Sequence, residues 1–164
     1  MKQLLICRHA KSSWKDMSLA DIDRPLNKRG KMNAPEMGKR LKRRKMKPDR
    51  IVSSPARRAF ATAVRISREV DIPRKKIQVV DSVYGSYPAK LVQVIQDFDD
   101  RYDRVMLVGH NPEITVLANL LGGLDIDNVP TCGIVALDFD VSAWKNVAEE
   151  KGTLVFFDYP RKGG

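Results

Sequence analysis

The sequence contains few of the residues on which several protein classes depend. Its 164 residues include two cysteines, Cys7 and Cys132, and two histidines, His9 and His110. Two cysteines are too few for the disulfide framework of a small secreted domain. Because Cys7 lies in an apolar segment, we expect two buried free thiols rather than a disulfide or a metal site. No apolar run is long enough to span a bilayer.

A secretory leader is also missing from the pattern. The first apolar segment, Leu4–Cys7, is too short for the core of a signal peptide, and no small-residue cleavage site follows it. We find no internal repeat, low-complexity segment or linker, and the length suits one domain with a hydrophobic core. We therefore predict a single domain over residues 1–164, located in the cytoplasm, with no membrane partner.

Positive charge is what the sequence has in excess. The net charge is +10, and the isoelectric point is about 9.8. Such a surface attracts nucleic acid, phosphorylated ligands or acidic protein patches, although a solvated lysine-rich face explains it equally well. A nucleic-acid partner is disfavoured, because no cluster of aromatic residues for base stacking and no docking motif are apparent.

Short apolar runs alternate with helical patterns along most of the chain. Runs of this kind are typical of strands buried on both faces, and they lie at Leu4–Cys7, Ile51–Val52, Ile77–Val80 and Val105–Val108. Two later runs, Ile134–Phe139 and Thr153–Phe157, predict further strands, at least one of them antiparallel. The whole pattern predicts a three-layer α/β/α fold with a mainly parallel sheet.

Capping residues predict four helices between these strands. The starting signals are Asn27, Ser54-Pro55, Pro88 and Asn111-Pro112. We expect the first helix to reach about Arg44, with Pro35 either kinking it or delaying its start. The fourth helix should end at Gly122-Gly123.

Polar clusters follow three of the predicted strands, and they contain both histidines. The clusters are Arg8-His9, Ser53-Ser54 with arginines in the next helical turn, and Gly109-His110. Ligands bind at the carboxyl ends of strands in open α/β sheets, so we expect the clusters to converge. Neutral imidazole can carry a phosphoryl group covalently. Histidine is also a zinc ligand, and a set of Cys7, His9 and His110 stays open on spacing alone.

The arginines after Ser54 offer a phosphate clamp. Arg57 and Arg58 are about 100° apart around a helix, so only one of them can face the site. A planar guanidinium binds phosphate oxygens in a bidentate way. Helical geometry alone does not choose between the two residues.

Three blocks of the chain carry a family resemblance. Arg8-His9-Ala10 resembles an Arg-His-Gly signature, residues 54–63 resemble Ser-Pro-Leu-x-Arg-Ala-x-x-Thr-Ala, and residues 109–112 resemble the block with a second histidine. In this order they resemble the histidine phosphatase superfamily, which includes phosphoglycerate mutases and acid phosphatases. The small size and residues 23–26, Asp-Arg-Pro-Leu, with Gly30, resemble the SixA-type phosphohistidine phosphatases. The resemblance implies a phosphoglycerate mutase-like fold and selects Arg58 over Arg57.

The same resemblance implies an activity. His9 would be the nucleophile of a phosphatase that needs neither a metal nor another cofactor. Arg8, Arg58 and a protonated His110 would surround the phosphoryl oxygens. The expected substrate is phosphohistidine, free or in a protein, or a related phosphomonoester, and a monomer is expected.

Three further residues, Asp81, Lys11 and Lys15, are predicted to belong to the site. Asp81 stands three residues before Tyr84-Gly85, where larger family members have a glutamate general acid, but an ordinary loop aspartate fits equally well. Lys11 and Lys15 are expected to contact the substrate; Lys15 replaces an asparagine that mutase-like members often have. Ala10 replaces the usual glycine, so the turn after His9 must accommodate a methyl group.

Two other functions remain open at this point. One is a phosphatase for small phosphate esters. The other is a basic module that binds phosphoprotein or nucleic acid through an inactive site. A phosphatase assay separates the binding module from the phosphohistidine phosphatase and the ester phosphatase, because only the two enzymes turn over a substrate.

Overall fold

The computed structural model describes residues 1–162; Gly163 and Gly164, the end of the predicted domain, lie outside the described residues. Six strands are present: β1 Lys2–Arg8, β2 Arg50–Ser53, β3 Ile77–Val79, β4 Arg104–Gly109, β5 Ile134–Phe139 and β6 Gly152–Asp158. Four α-helices connect them: α1 Lys28–Arg43, α2 Arg57–Glu69, α3 Pro88–Gln96 and α4 Glu113–Gly122. Short 3-10 turns lie at Asp21–Asp23, Arg74–Lys76, Asp81–Val83, Trp144–Asn146 and Pro160–Lys162.

The strands form one sheet in the order β3-β2-β4-β1-β5-β6. The first four in this order are parallel, whereas β5 is antiparallel to β1 and β6 is antiparallel to β5. This confirms the predicted mainly parallel sheet with an antiparallel extension. Strand β4 lies between β1 and β2, so the carboxyl ends of these three strands are neighbours.

Each face of the sheet packs against a pair of helices. Leu5 and Cys7 of β1 belong to one buried cluster, which also contains apolar residues of α1 and α2. Leu4 and Ile6 belong to the opposite cluster, with apolar residues of α3 and α4. Because successive strand residues point to opposite faces, the four consecutive apolar residues Leu4–Cys7 of β1 fill both cores. The three-layer α/β/α fold is therefore confirmed.

Helix α1 begins at Lys28, directly after the predicted capping residue Asn27. The Asn27 side chain accepts a hydrogen bond from the backbone N–H of Gly30 at 2.9 Å, as a capping residue does. Pro35 nevertheless lies inside the helix, so the expectation that it delays the start was wrong. Proline removes only one helical donor here, and Met37 and Leu41 beyond it are fully buried, which stabilises the continued helix.

The start of α2 also differs from the expectation. Its first residue is Arg57 and its capping position is Ala56, so the prediction that Ser54 caps this helix was wrong. The Ser54 hydroxyl instead accepts a hydrogen bond from the N–H of Ala56 at 3.1 Å, within the turn that precedes the helix. Helix α4 ends at Gly122 and is capped by Gly123, which has a left-handed φ of 59°, as predicted.

Within residues 1–162, no helix combines the length and apolar character that crossing a membrane requires. Both cysteines are buried, and neither forms a disulfide.

Candidate active site

The register of the three central strands brings the two histidines together. Arg8 pairs with Gly109 across β1 and β4, and the N–H of His9 donates to the carbonyl of Gly109 at 3.0 Å. His9 and His110 are therefore the next residues at neighbouring strand ends. Their ring centroids are 5.1 Å apart, with the rings tilted by 52°.

The backbone fixes the tautomer of His9. Its Nδ1 lies 2.7 Å from the carbonyl oxygen of Ala10. A carbonyl can only accept, so Nδ1 must carry the proton, and Nε2 keeps its lone pair. The residue is 8% exposed. The pKa of His9 falls to about 3, mainly because the ring is buried; the hydrogen bond to the Ala10 carbonyl acts in the opposite direction, and His110, Arg58 and Arg8 add to the decrease. At neutral pH this imidazole is uncharged.

His110 is held by a different kind of partner. Its Nε2 lies 2.8 Å from the hydroxyl oxygen of Ser54. Its Nδ1 is buried and has no hydrogen-bond partner among the described residues. Burial, followed by the charge of Arg58, lowers the pKa of His110 to about 4. The carboxylate of Asp21 favours the charged ring but does not outweigh burial and the charge of Arg58, so His110 is neutral in the free site. That His110 is protonated when it holds a phosphoryl group stays a prediction.

Arg58 and Arg57 lie on different sides of α2. Arg58 is 6% exposed, whereas Arg57 is exposed to solvent. Arg58 lines the cleft that contains His9 and also the cleft that contains His110. The structure thus places Arg58 at the histidines and leaves Arg57 outside the residues that line these clefts.

Arg8 points from the end of β1 toward the same place. Its Nη1 donates to the carbonyl of Val129 at 3.0 Å. Its Nε is buried and has no partner within residues 1–162. A buried guanidinium nitrogen without an acceptor is costly, so an anion in this position would be favoured.

Helix α2 also fixes the backbone beside the nucleophile candidate. The Thr62 hydroxyl donates to the carbonyl of Arg58 at 2.7 Å and accepts from the N–H of Ala10 at 2.9 Å. Ala10 is fully buried. Its backbone is outside the left-handed region, so the methyl group that replaces the usual glycine is accommodated.

The loop after His9 is held against the start of α1. The N–H of Asn27 donates to the carbonyl of Lys11 at 3.0 Å. A Cβ on Gly30 would lie 2.2 Å from the same carbonyl oxygen. Gly30 is therefore required for α1 to approach the loop so closely.

Two small clefts meet at Arg58. One, of about 190 Å³, contains His9, Arg8 and Lys11. The other, of about 250 Å³, contains His110 and Tyr84 together with two carboxylates, Asp21 and Glu113. Larger cavities of about 430 and 450 Å³ lie elsewhere and include neither histidine. The convergence of buried nitrogen donors, and not cavity size, marks the site.

The comparisons with known proteins agree with this geometry. The model of the histidine phosphatase superfamily (branch 1) matches residues 4–81. An uncharacterized protein of Mycobacterium tuberculosis is 30% identical over 164 residues, which cover 94% of this chain and 99% of that protein. An uncharacterized chloroplastic protein of Arabidopsis thaliana is 29% identical over 152 residues, which cover 88% of this chain and 69% of that protein.

Solved structures give the same answer. The crystal structure of a candidate phosphohistidine phosphatase SixA from Agrobacterium tumefaciens is 27% identical, with a TM-score of 0.83 over 97% of this chain and 98% of that one. The chain belongs to the histidine phosphatase superfamily. The protein histidine phosphatase SixA complexed with tungstate shares the fold at 21% identity, with a TM-score of 0.83 over 98% of both chains. This histidine phosphatase is of the SixA type, and its family supports a phosphatase with a histidine nucleophile.

Three predicted residues of this histidine phosphatase lie apart from the buried cluster. Lys11 lines the cleft of His9 but is exposed. Lys15 is exposed and does not line that cleft. Asp81 is exposed at the start of a 3-10 turn and lines neither cleft. No hydrogen bond joins the Asp81 carboxylate to another side chain among the residues described.

Sequence reasoning missed Asp21, the carboxylate that contacts the most groups at the site. Its Oδ2 accepts from Arg58 Nη2 at 3.0 Å and from the Tyr84 hydroxyl at 2.6 Å. Its Oδ1 accepts from Arg24 Nη1 at 3.2 Å. The Tyr84 hydrogen bond is the largest reason that the pKa of Asp21 falls to about 2, with the arginines adding to it. Asp16, Asp21 and Asp23 lie in one loop, and nothing in their spacing singles out Asp21.

The zinc alternative is not supported by the geometry. Within the described part of the chain, no group of three or more His, Cys, Asp or Glu residues could hold a metal ion. A hydrogen bond with the Cys132 thiol, together with burial, raises the pKa of Cys7 well above its ordinary value. Zinc binds the thiolate, which is disfavoured for such a buried thiol.

Proposed function

We propose that this chain is a phosphatase that forms a covalent phosphohistidine on Nε2 of His9 and that phosphohistidine is its substrate. The observation that carries the proposal is the hydrogen bond from Nδ1 of His9 to the carbonyl of Ala10. It leaves the Nε2 lone pair free on a buried, neutral imidazole. Nε2 attacks phosphorus, the bond to the leaving group breaks, and water then cleaves the new N–P bond and releases inorganic phosphate.

The groups around His9 suit the charge of a phosphoryl group in transfer. Arg8 offers its buried Nε, and His110 offers its buried Nδ1. Arg58 adds a second guanidinium between the two clefts. Such preorganised donors stabilise the transition state without a metal ion, and we propose that none is required.

Substrate binding would change the protonation of His110. In the free site its pKa is lowered to about 4. A phosphate dianion beside the ring favours the charged form, which raises this pKa. His110 would then donate from Nε2 to Ser54 and from Nδ1 to the phosphoryl oxygen.

The carboxylates near the site favour a leaving group that needs no proton from the enzyme. Asp21 has a pKa lowered to about 2 and is ionised at neutral pH, so it cannot be a general acid. Asp81 is exposed and outside both clefts. An imidazole on phosphohistidine carries its own proton and leaves as a neutral molecule. We propose a histidine-phosphorylated protein as the partner, a cytoplasmic location, and one domain over residues 1–164.

A small phosphate ester is the second candidate substrate. Its alkoxide leaving group would need a proton, and Glu113 is a carboxyl group that lines the cleft of His110. The hypothesis that esters are the substrates can therefore be tested by removing the candidate proton donors. If esters are the substrates, Glu113→Gln or Asp81→Asn should slow their hydrolysis by about 10²–10⁴-fold, the usual contribution of a general acid.

The test compares phosphohistidine, an alkyl phosphate and an aryl phosphate in the presence of EDTA. We expect phosphohistidine hydrolysis that neither Glu113→Gln nor Asp81→Asn slows, and slow alkyl phosphate turnover even in the wild type. The aryl phosphate is the control, since its good leaving group needs no acid. Fast alkyl phosphate turnover that collapses in either variant would favour the ester reading. Activity that EDTA removes and zinc restores would contradict metal independence.

A further inference from the structure

A second concavity adjoins the cleft of His9. Its volume is about 360 Å³, and it shares Arg8, Lys11 and Thr131 with that cleft. Arg29 from the first turn of α1 and Arg161 from the C-terminal turn complete its charged lining. We call this concavity the basic annex, defined by Arg8, Lys11, Arg29 and Arg161.

The charges of the basic annex are not balanced by the protein. Its described lining includes four cations and no carboxylate. None of these four side chains forms an ion pair within the part of the chain that the structure describes. Arg24, Arg40 and Arg58, by contrast, each have an aspartate partner. Like charges around one concavity repel each other, and an anion bound among them relieves that repulsion.

The far wall of the annex is held in place by a buried arginine. Arg40 is 8% exposed and donates to the carboxylate of Asp158 at 3.1 Å. It also donates to the carbonyls of Tyr159 and Pro160, both at 2.9 Å. Helix α1 therefore fixes the backbone directly before Arg161. Buried charge-assisted hydrogen bonds of this kind are strong enough to order a chain terminus.

The near wall is fixed as firmly. Lys11 is held by its backbone contacts with Asn27 and Gly30, and Arg29 lies between those two residues in the chain. Two polar amides, Asn33 and Asn128, also line the annex. The lining thus provides both charge and hydrogen-bond donors for an oxyanion.

We propose that the basic annex binds a second anionic group, a phosphate or a carboxylate, of the same substrate whose phosphoryl group His9 attacks. The inference rests on the proposed function, because the annex is reached from the His9 cleft through shared residues. The second group can come from a small bisphosphate or from an acidic residue beside a phosphohistidine. In both cases the chemistry that the annex recognises is an oxyanion.

The test uses paired charge deletions. The double variant Arg29→Ala/Arg161→Ala removes two annex charges. Its control, Lys28→Ala/Lys162→Ala, removes the same net charge from the neighbouring positions, which do not line the annex. Propyl phosphate and 1,3-propanediol bisphosphate are compared as competitive inhibitors of aryl phosphate hydrolysis. Phosphohistidine peptides with glutamate or alanine beside the phosphorylated residue are compared as substrates.

If the second group belongs to a small bisphosphate, we expect the annex variant to raise the inhibition constant of the bisphosphate by about tenfold, as for loss of one charge-assisted contact. If it belongs to a protein, we expect the variant to lower kcat/KM for the acidic peptide by about the same factor. The monophosphate, the alanine peptide and the control variant should change less than about twofold. A loss confined to the bisphosphate identifies a small substrate, and a loss confined to the acidic peptide identifies a protein. Equal effects of both variants on all ligands would overturn the proposal. Aryl phosphate turnover that survives in His9→Ala would instead overturn the proposed function.

Discussion

The two walls of the active site are built by different means. On the nucleophile wall, His9 is buried and Arg8 is half-buried, and their side chains are fixed by the main-chain carbonyls of Ala10 and Val129. On the entry wall, Asp21 is bound by side chains of Arg58, Tyr84 and Arg24. The Asp21 side chain is 51% exposed, so its ion pairs are screened by water. The reacting side chains are therefore held by the main chain, whereas the entrance to the site is held by side-chain ion pairs that are exposed to solvent.

Removing the nucleophile should have the largest effect. We predict that His9→Ala lowers kcat by on the order of 10³-fold or more, because it removes the covalent route. Far-ultraviolet circular dichroism should show an intact fold, since the ring occupies the open end of a strand. The measurement is aryl phosphate hydrolysis under saturating substrate. A folded His9→Ala protein with ordinary turnover would sink the proposed mechanism.

The phosphate clamp should show the next largest effect. We predict that Arg58→Ala lowers kcat/KM by about 10²–10³-fold, as for loss of one preorganised donor. Arg57→Ala, one residue away and exposed, should have little effect and is the matched control. Arg58→Lys should also be poor, because a point charge does not reproduce the planar fork. Equal losses in Arg57→Ala and Arg58→Ala would contradict the position of the clamp.

Acid should destabilise the nucleophile wall before it affects the carboxylates. In the native state the pKa values of His9 and His110 are lowered to about 3 and about 4. In the unfolded chain both rings have the ordinary histidine pKa of about 6.5. Between these values the unfolded chain binds protons that the native protein does not bind. The stabilisation by the two histidines is thus present above pH 6.5 and is lost as pH falls toward the native values. We predict that the free energy of unfolding drops by at most roughly 1.4 kcal/mol per pH unit for each histidine.

Urea unfolding between pH 7 and pH 4.5 measures this slope. Asp21 loses its contribution mainly below this window, as pH falls from the ordinary aspartate pKa of about 4 toward its own pKa of about 2. His110→Asn should reduce the slope, since asparagine has no proton to bind. A slope unchanged in that variant would show that His110 is not neutral in the native state.

Neutralising the entry wall should have the smallest effect. We predict that Asp21→Asn tightens inhibition by inorganic phosphate roughly two- to fivefold, because the charge that competes for Arg58 is removed and the pair is exposed. Asp16→Asn is the matched control, since Asp16 lies in the same loop and bonds only to Ser18. Weaker phosphate inhibition in Asp21→Asn would mean that the carboxylate orients Arg58 for the substrate.

The same division explains what the sequence could predict. The positions of the strands, β5 above all, were predicted closely, because a run of apolar residues is a local signal that can be recognised without knowing the fold. The meeting of Arg8, His9 and His110 followed from the rule for carboxyl ends of parallel strands, and the choice of Arg58 required the family resemblance. The position of Ser54 beside His110 did not follow, because a serine before a proline is also a common capping signal.

The entry wall could not be predicted, because it depends on how the loop after His9 folds. Ser12 pairs with Leu26 in an isolated bridge, and Arg24 donates to Ser12 and Ser13. These contacts place Asp21 over Arg58, although the two residues are far apart in sequence. The role of Asp81 was inferred from its distance to Tyr84, but Tyr84 contacts Asp21.

The central claim is that the phosphoryl group is transferred to Nε2 of His9. Rapid quenching of the enzyme with an aryl phosphate, followed by mass spectrometry at alkaline pH, tests it directly. We expect one phosphoryl group per chain on His9, stable to alkali and labile to acid, and no label in His9→Ala. A phosphoryl group on His110 or on another residue would contradict this mechanism. So would a burst of product from a wild-type enzyme that carries no label when it is quenched.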